Sequence, residues 1–76
     1  MTERSAPPGA IPIQLNGEPR EAPAGLTLSG LITWLELDPR KVAVERNLEI
    51  APRSAYHEVR IEAGDRLEIV QFVGGG

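Results

Sequence analysis

The sequence predicts an α+β domain, in which one amphipathic helix packs across one face of a mixed sheet of four to five strands. Two observations carry this prediction. A single stretch has helical periodicity, with apolar residues at Leu28, Leu31, Ile32 and Leu35. The stretches on either side alternate apolar with polar residues, as half-buried strands do. A chain of 76 residues makes one domain and leaves little core from which a deep pocket could form.

The folded part is predicted to begin with a hairpin over residues 11–22. Residues 1–10 are polar and interrupted by proline and glycine, so we expect them to be a disordered lead-in. Ile13 and Leu15 then alternate with a polar residue. Asn16-Gly17 follows, which is a strong hairpin signal because both positions tolerate a positive φ.

The helix is bounded by residues typical of helix ends. Thr27 stands just before the apolar stripe and is predicted to cap the helix N-terminus through its side chain. Asp38-Pro39 is predicted to stop the helix, because a residue that precedes proline avoids helical backbone angles. Trp34 is offset from the apolar stripe, and we expect it to be partly buried without a functional role.

Three strands are predicted after the helix. The first two cover residues 42–46 and 49–51 and are joined by a turn at Asn47-Leu48. The last and clearest covers residues 66–73 and follows a tight turn at residues 62–65. The residues expected in the core are Ile13, Leu15, Leu28, Leu31, Ile32, Leu35, Val42, Val44, Ile61, Leu67 and Ile69.

Three apolar residues near the end of the last strand do not fit the core. Val70 falls on the opposite face from Leu67 and Ile69 by strand alternation, and Phe72 and Val73 lie beyond the expected end of the core. Exposed apolar residues in this position predict a docking patch for a partner enzyme. The alternative is that a twist or bulge turns them inward.

Composition excludes most kinds of active site. The chain has no cysteine and one histidine, His57, so a thiolate nucleophile and a two-histidine metal site are both excluded. The formal net charge of −3, with scattered basic residues, is a poor match to nucleic acid or to an anionic membrane. No apolar run has the length of a membrane span. We therefore expect a cytoplasmic protein that is not itself an enzyme.

The sequence ends in Gly74-Gly75-Gly76, directly after a strong strand. A frayed terminus is the ordinary explanation for such a tail. The functional alternative is that a tail without side chains passes through a narrow channel in which any Cβ would clash. It would deliver the carboxylate of Gly76 to another protein's active site, where activation as an acyl-adenylate is the natural next step.

Three segments resemble the ThiS family of thiamine-biosynthesis sulfur carriers. They are VAVERN at 42–47, APRS at 51–54 and GDRLEIVQFVGGG at 64–76. The resemblance implies a ubiquitin-like β-grasp domain over residues 11–73, followed by a flexible tail at 74–76. It also implies that a ThiF-type enzyme uses ATP to adenylate Gly76, that a cysteine desulfurase supplies sulfur, and that the resulting thiocarboxylate serves the thiazole synthase ThiG. No cofactor would be bound by the chain itself.

Three alternatives remain open at this point. The first is a β-grasp sulfur carrier for molybdopterin synthesis or tRNA thiolation, although molybdopterin carriers usually have prolines before the diglycine, where this chain has Val73-Gly74. The second is a ubiquitin-like protein modifier, for which Lys41 is the only lysine that could accept a further copy. The third is a plain interaction domain with an inert tail.

Overall fold

The structure, a computed structural model, describes residues 9–72. Its elements are β1 (Ala10–Leu15), β2 (Glu18–Pro23), α1 (Leu28–Trp34), a 3₁₀ helix (Pro39–Lys41), β3 (Val42–Arg46), β4 (Glu49–Ala51), a second 3₁₀ helix (Arg53–Ala55) and β5 (Arg66–Gln71). The five strands form one sheet in the order β2-β1-β5-β3-β4. The α+β class predicted from the sequence is therefore confirmed.

The last strand in sequence lies at the centre of the sheet. β5 pairs in parallel with β1 and antiparallel with β3, which makes the sheet mixed. β1 and β2 form the predicted hairpin, with Asn16 at φ 51° and Gly17 at φ 84° in its turn. The first strand begins at Ala10, one residue before the predicted start of the folded part. Of the lead-in predicted over residues 1–10, residues 1–8 lie outside the described residues.

The helix begins where the sequence predicts and ends earlier. The Thr27 side chain accepts a hydrogen bond from the Gly30 N–H at 3.1 Å, as expected for an N-cap. The helix ends at Trp34, and Glu36 then adopts a φ of 65°, so the end set by Asp38-Pro39 was predicted too late. Asp38 instead caps the first 3₁₀ helix, where its Oδ1 accepts from the Arg40 N–H at 2.9 Å.

The core lies between α1 and one face of the sheet. Its buried apolar residues are Ile13, Leu15, Ala22, Leu28, Leu31, Ile32, Val42, Val44, Tyr56, Ile61, Leu67 and Ile69. Each fully buried side chain of this size contributes about 1.5–3 kcal/mol. Of the predicted core residues only Leu35 falls outside this buried set, and it packs against the set half-buried, just after the end of the helix. Ala22 and Tyr56 were missed.

Candidate functional site at the end of the central strand

The predicted site begins where β5 ends. The Phe72 N–H donates to the Lys41 carbonyl oxygen at 2.8 Å, so the pairing between β5 and β3 continues one residue beyond the end of β5. β1 pairs only with the first two residues of β5, whereas β3 pairs with it up to Gln71, so the β3 side of the sheet holds the backbone up to this residue. Val73, Gly74, Gly75 and Gly76 lie outside the described residues.

A buried carboxylate holds the start of β5. Asp65 is only 5% exposed and accepts hydrogen bonds from the Glu62 N–H at 2.8 Å, Arg46 Nε at 2.9 Å and Asn47 Nδ2 at 3.1 Å. Burial raises the pKa of Asp65, but these three donors together with the Arg46 charge outweigh it and bring the pKa below its ordinary value. The turn at residues 62–65 is thereby fastened to the turn between β3 and β4.

Asn47 completes this attachment by pairing with the first residue of β5. Its Oδ1 accepts from the Arg66 N–H at 2.9 Å, and its own N–H donates to the Arg66 carbonyl oxygen at 2.7 Å. The residue adopts a φ of 54°, a left-handed conformation that asparagine tolerates better than most residues. The sequence predicted a turn here, but not that the turn's side chain would start the central strand.

Asn16 performs a similar task on the other side of β5. Its Oδ1 accepts from the Ile69 N–H at 2.8 Å, and its Nδ2 donates to the Ile69 carbonyl oxygen at 3.3 Å. β1 has ended here because the chain turns into β2. The Asn16 side-chain amide makes the hydrogen bonds to β5 that the backbone of a further β1 residue would otherwise make. Sequence reasoning used Asn16 only as a turn residue and missed this second role.

The sheet face opposite the helix presents the predicted docking residues. Val70 is 61% exposed and Phe72 is 49% exposed, so no twist or bulge turns them into the core. Ala43 lies directly across from Val70 on β3 and is also exposed. We call Ala43, Val70 and Phe72 the apolar patch. Whether a partner docks on it stays a prediction.

Arg53 lies against this patch. Its guanidinium carbon is 5.8 Å from the centroid of the Phe72 ring, within the range of a cation–π contact. Its Nη2 donates to the Val42 carbonyl oxygen at 3.2 Å, an oxygen that also accepts from the Tyr56 hydroxyl at 3.1 Å. Sequence reasoning noted Arg53 only as part of the APRS segment and assigned it no function.

His57 and Trp34 take no part in the contacts described above. His57 is exposed, as expected of a surface residue. Trp34 is 41% exposed, stacks with the Arg20 guanidinium at 5.6 Å and borders a cavity of about 460 Å³ beside the β2 edge.

Within residues 9–72 no three histidine, aspartate or glutamate side chains are grouped so as to hold a metal ion. Over the same residues, no helix combines the length and apolarity needed to cross a membrane.

A five-stranded mixed sheet with one helix across a face, and with the last strand at its centre, is the ubiquitin-like β-grasp fold. A family model described as "ThiS family" matches residues 13–76 of this chain. This match includes the terminal glycines and omits only the first twelve residues. The chain belongs to the ThiS family.

Three known proteins illustrate the similarity. A thiazole synthase of Paramagnetospirillum magneticum is 55% identical over 62 residues, which are 82% of this chain and 19% of that protein. The sulfur carrier protein ThiS of Bacillus subtilis is 46% identical over 50 residues, covering 66% of this chain and 76% of that one. The crystal structure of the thiamine biosynthesis protein ThiS from Geobacter metallireducens is 29% identical, has a TM-score of 0.73 and covers 87% of this chain and all of that one. This chain therefore spans about a fifth of the thiazole synthase that it matches.

Proposed function

We propose that this chain is a sulfur carrier of thiamine biosynthesis, and that the carboxylate of Gly76 is its working group. The observation that carries the proposal is a family match that runs through the terminal glycines to residue 76. The Bacillus subtilis relative, whose name describes it as a sulfur carrier, supports the same assignment. The central position of β5 supports it too, because the strand that leads into the tail has a neighbouring strand on each side.

The chemistry of the proposal begins at a carboxylate, which is a poor electrophile. A ThiF-type partner would join it to the AMP portion of ATP and release pyrophosphate. The terminal sulfur of a cysteine-desulfurase persulfide would then attack the acyl carbon and displace AMP. A second thiol would reduce the resulting acyl disulfide and leave a thiocarboxylate on Gly76. Because these 76 residues contain no cysteine, no thiol side chain of this chain could hold the sulfur instead.

The glycine tail suits delivery into another protein's active site. Gly74, Gly75 and Gly76 offer no Cβ to a narrow channel and adopt backbone angles that other residues resist. The apolar patch, together with the predicted docking residue Val73, would dock on the activating enzyme while the tail enters its active site. Catalysis would belong to the partner, and the chain would act as carrier and substrate in the cytoplasm.

Thiazole synthase ThiG is the acceptor that we propose for the sulfur. Support comes from the thiazole synthase of Paramagnetospirillum magneticum, which is 55% identical to this chain over about a fifth of its own length. In that protein a region similar to this chain is part of the same polypeptide as the remaining four fifths. Such a fusion is expected where the two parts work together.

Changes at the tail test this function. Deleting Gly76, or adding one residue after it, should abolish adenylation by a ThiF-type enzyme, measured as exchange of pyrophosphate into ATP. The melting temperature should stay that of wild type, since the carboxylate and not the fold is altered. Adding the same residue before Met1 is the matched control and should leave exchange unchanged. Normal exchange with the extended C-terminus would falsify the proposal.

Gly75→Ala tests the channel separately from the carboxylate. A methyl group at this position should slow adenylation much more than it changes thermal stability, because the steric conflict arises only inside the partner. Melting curves and exchange rates measured on the same preparation separate the two effects. Parallel losses of stability and rate would show instead that the tail serves the fold.

A further inference from the structure

The Phe72 ring lies half exposed just past the end of the central strand, next to the point from which residues 73–76 continue. Its backbone is held by the hydrogen bond to Lys41. The ring is about half open to solvent and is no member of the buried core, so the core does not enclose it on all sides. The Arg53 guanidinium lies over the ring, 5.8 Å from its centroid, and is a contact that can restrain it.

That guanidinium is itself anchored to the sheet. It donates to the carbonyl oxygen of Val42. Val42 lies opposite Gln71 on β5, and at this pair the backbone N–H and carbonyl of Val42 point away from β5. On that side β4 ends at Ala51, so no strand reaches this oxygen. Arg53 and the buried hydroxyl of Tyr56 satisfy it instead. Arg53 thus contacts a fixed point of β3 and the end of β5 at once.

Only arginine among the basic residues suits this position. A planar guanidinium donates a hydrogen bond from its edge while its flat face lies against an aromatic ring. A lysine ammonium has no such face and cannot make both contacts in the same geometry. Arg53 also makes no salt bridge to any residue between 9 and 72, so no carboxylate of that part of the chain draws it away from the ring.

We propose that Arg53 is a positioning residue, which holds the Phe72 ring in one rotamer and so presents the apolar patch to the partner in a single arrangement. The structural part of this inference stands on the contacts alone. Its kinetic part rests on the proposed function. If the ring becomes free to occupy three staggered rotamers, the docking-competent fraction falls, and the KM for the carrier should rise about threefold with kcat unchanged.

Nuclear magnetic resonance tests the structural part without any partner. The wild-type protein should show Overhauser contacts between the Arg53 side chain and the Phe72 ring, together with χ1 couplings of Phe72 that report one rotamer. Arg53→Gln should average these couplings. Arg60→Gln is the matched control, because Arg60 also donates to a backbone carbonyl at 3.2 Å, that of Gly25, away from the patch. A single Phe72 rotamer in Arg53→Gln would overturn the proposal.

Kinetics with the adenylating enzyme test the consequence. Arg53→Gln and Arg53→Lys should both raise the KM for the carrier about threefold, since neither side chain can stack and donate as arginine does. In a Phe72→Ala background, Arg53→Gln should have no further effect. Should Arg53→Lys keep the wild-type KM, or Arg53→Gln still raise KM in that background, Arg53 would act through its charge and the positioning role would be wrong.

The two proposals fail in different ways. If wild-type protein is not adenylated at all, the proposed function is wrong and the Phe72 couplings alone decide the role of Arg53. If wild type is adenylated but Arg53→Gln keeps both a single rotamer and the wild-type KM, the proposed function stands and the positioning role falls.

Discussion

Replacing Asp65 with asparagine should destabilise the fold more than any other change of one carboxylate to an amide between residues 9 and 72. The two side chains have nearly the same shape, so the substitution changes charge and hydrogen bonding without leaving a cavity. Asp65 offers two acceptor oxygens, and donors occupy both: Oδ2 accepts from Glu62 and Arg46, and Oδ1 accepts from Asn47.

The size of the effect follows from these contacts. Asparagine has one oxygen, so its amino group must meet at least one of the three donors, and Arg46 loses its countercharge. A hydrogen bond to a charged group contributes about 1.5–3 kcal/mol, so we expect the free energy of unfolding to fall by about 2–3 kcal/mol. A chain of 76 residues has a total stability on the order of 4–11 kcal/mol. The melting temperature should drop on the order of 10–20 °C.

The effect should also depend on pH in a defined direction. The pKa of Asp65 is lower in the folded protein than its ordinary value of 3.8. A carboxyl group with a lowered folded pKa contributes its full stabilisation above the unfolded pKa, and loses it as the pH falls through the folded pKa. The stability difference between wild type and Asp65→Asn should therefore be largest at neutral pH and shrink below about pH 4.

Urea unfolding at several pH values measures this difference. Asp38→Asn is a suitable control, because Asp38 also pairs with an arginine and has a pKa lowered to about 2 by its hydrogen bonds with Arg40, but lies at the surface. Its replacement should change stability much less than that of Asp65. An Asp65→Asn protein as stable as wild type at pH 7, or a difference that grows on acidification, would refute the reasoning.

Two further predictions concern β5. Asn16→Gly keeps a residue suited to a φ of 51° but removes both side-chain hydrogen bonds to Ile69. The free energy of unfolding, measured with denaturant, should therefore fall by about 1–3 kcal/mol. An unchanged stability would contradict this and mean that water replaces the amide. Glu68 lies directly opposite Glu45 on the open face, and like charges so placed repel. Glu68→Gln should therefore raise stability by about 0.2–1 kcal/mol, more at low salt, and a loss of stability at low salt would contradict this.

Sequence patterns predicted the elements whose signals are periodic. The stripe of Leu28, Leu31 and Ile32 gave the helix and its buried face, and the alternation of Leu67 and Ile69 gave the inner face of the last strand. Asn16-Gly17 gave the first hairpin. These succeed because each pattern reflects a local geometry that repeats every 3.6 or every 2 residues.

Contacts between distant parts of the chain could not be obtained in this way. Asp65 meets Arg46 and Asn47 across 19 and 18 residues, and Asn16 meets Ile69 across 53. Such pairs depend on the order of strands in the sheet, which no local pattern encodes. Tyr56 was missed for a related reason, since it is buried from an irregular segment without periodicity.

Composition and the resemblance to the ThiS family predict the role of the glycine tail and the chemistry of its carboxylate, and neither depends on geometry. Gly74 to Gly76 have no side chains whose contacts could be read, and they lie outside the described residues. The structure contributes what precedes them: a central strand held at its start by Asp65 and β1, along its length by β3 and at its end by Lys41.

The intact mass of the protein tests the central claim most directly. It should be measured on wild-type protein before and after incubation with a ThiF-type enzyme, ATP, cysteine, a cysteine desulfurase and a thiol reductant. The expected result is a mass increase equal to the replacement of one oxygen by sulfur. Fragmentation should assign this increase to Gly76, and an alkylating reagent should react with the new sulfur. An unchanged mass, or sulfur located anywhere other than Gly76, would contradict it.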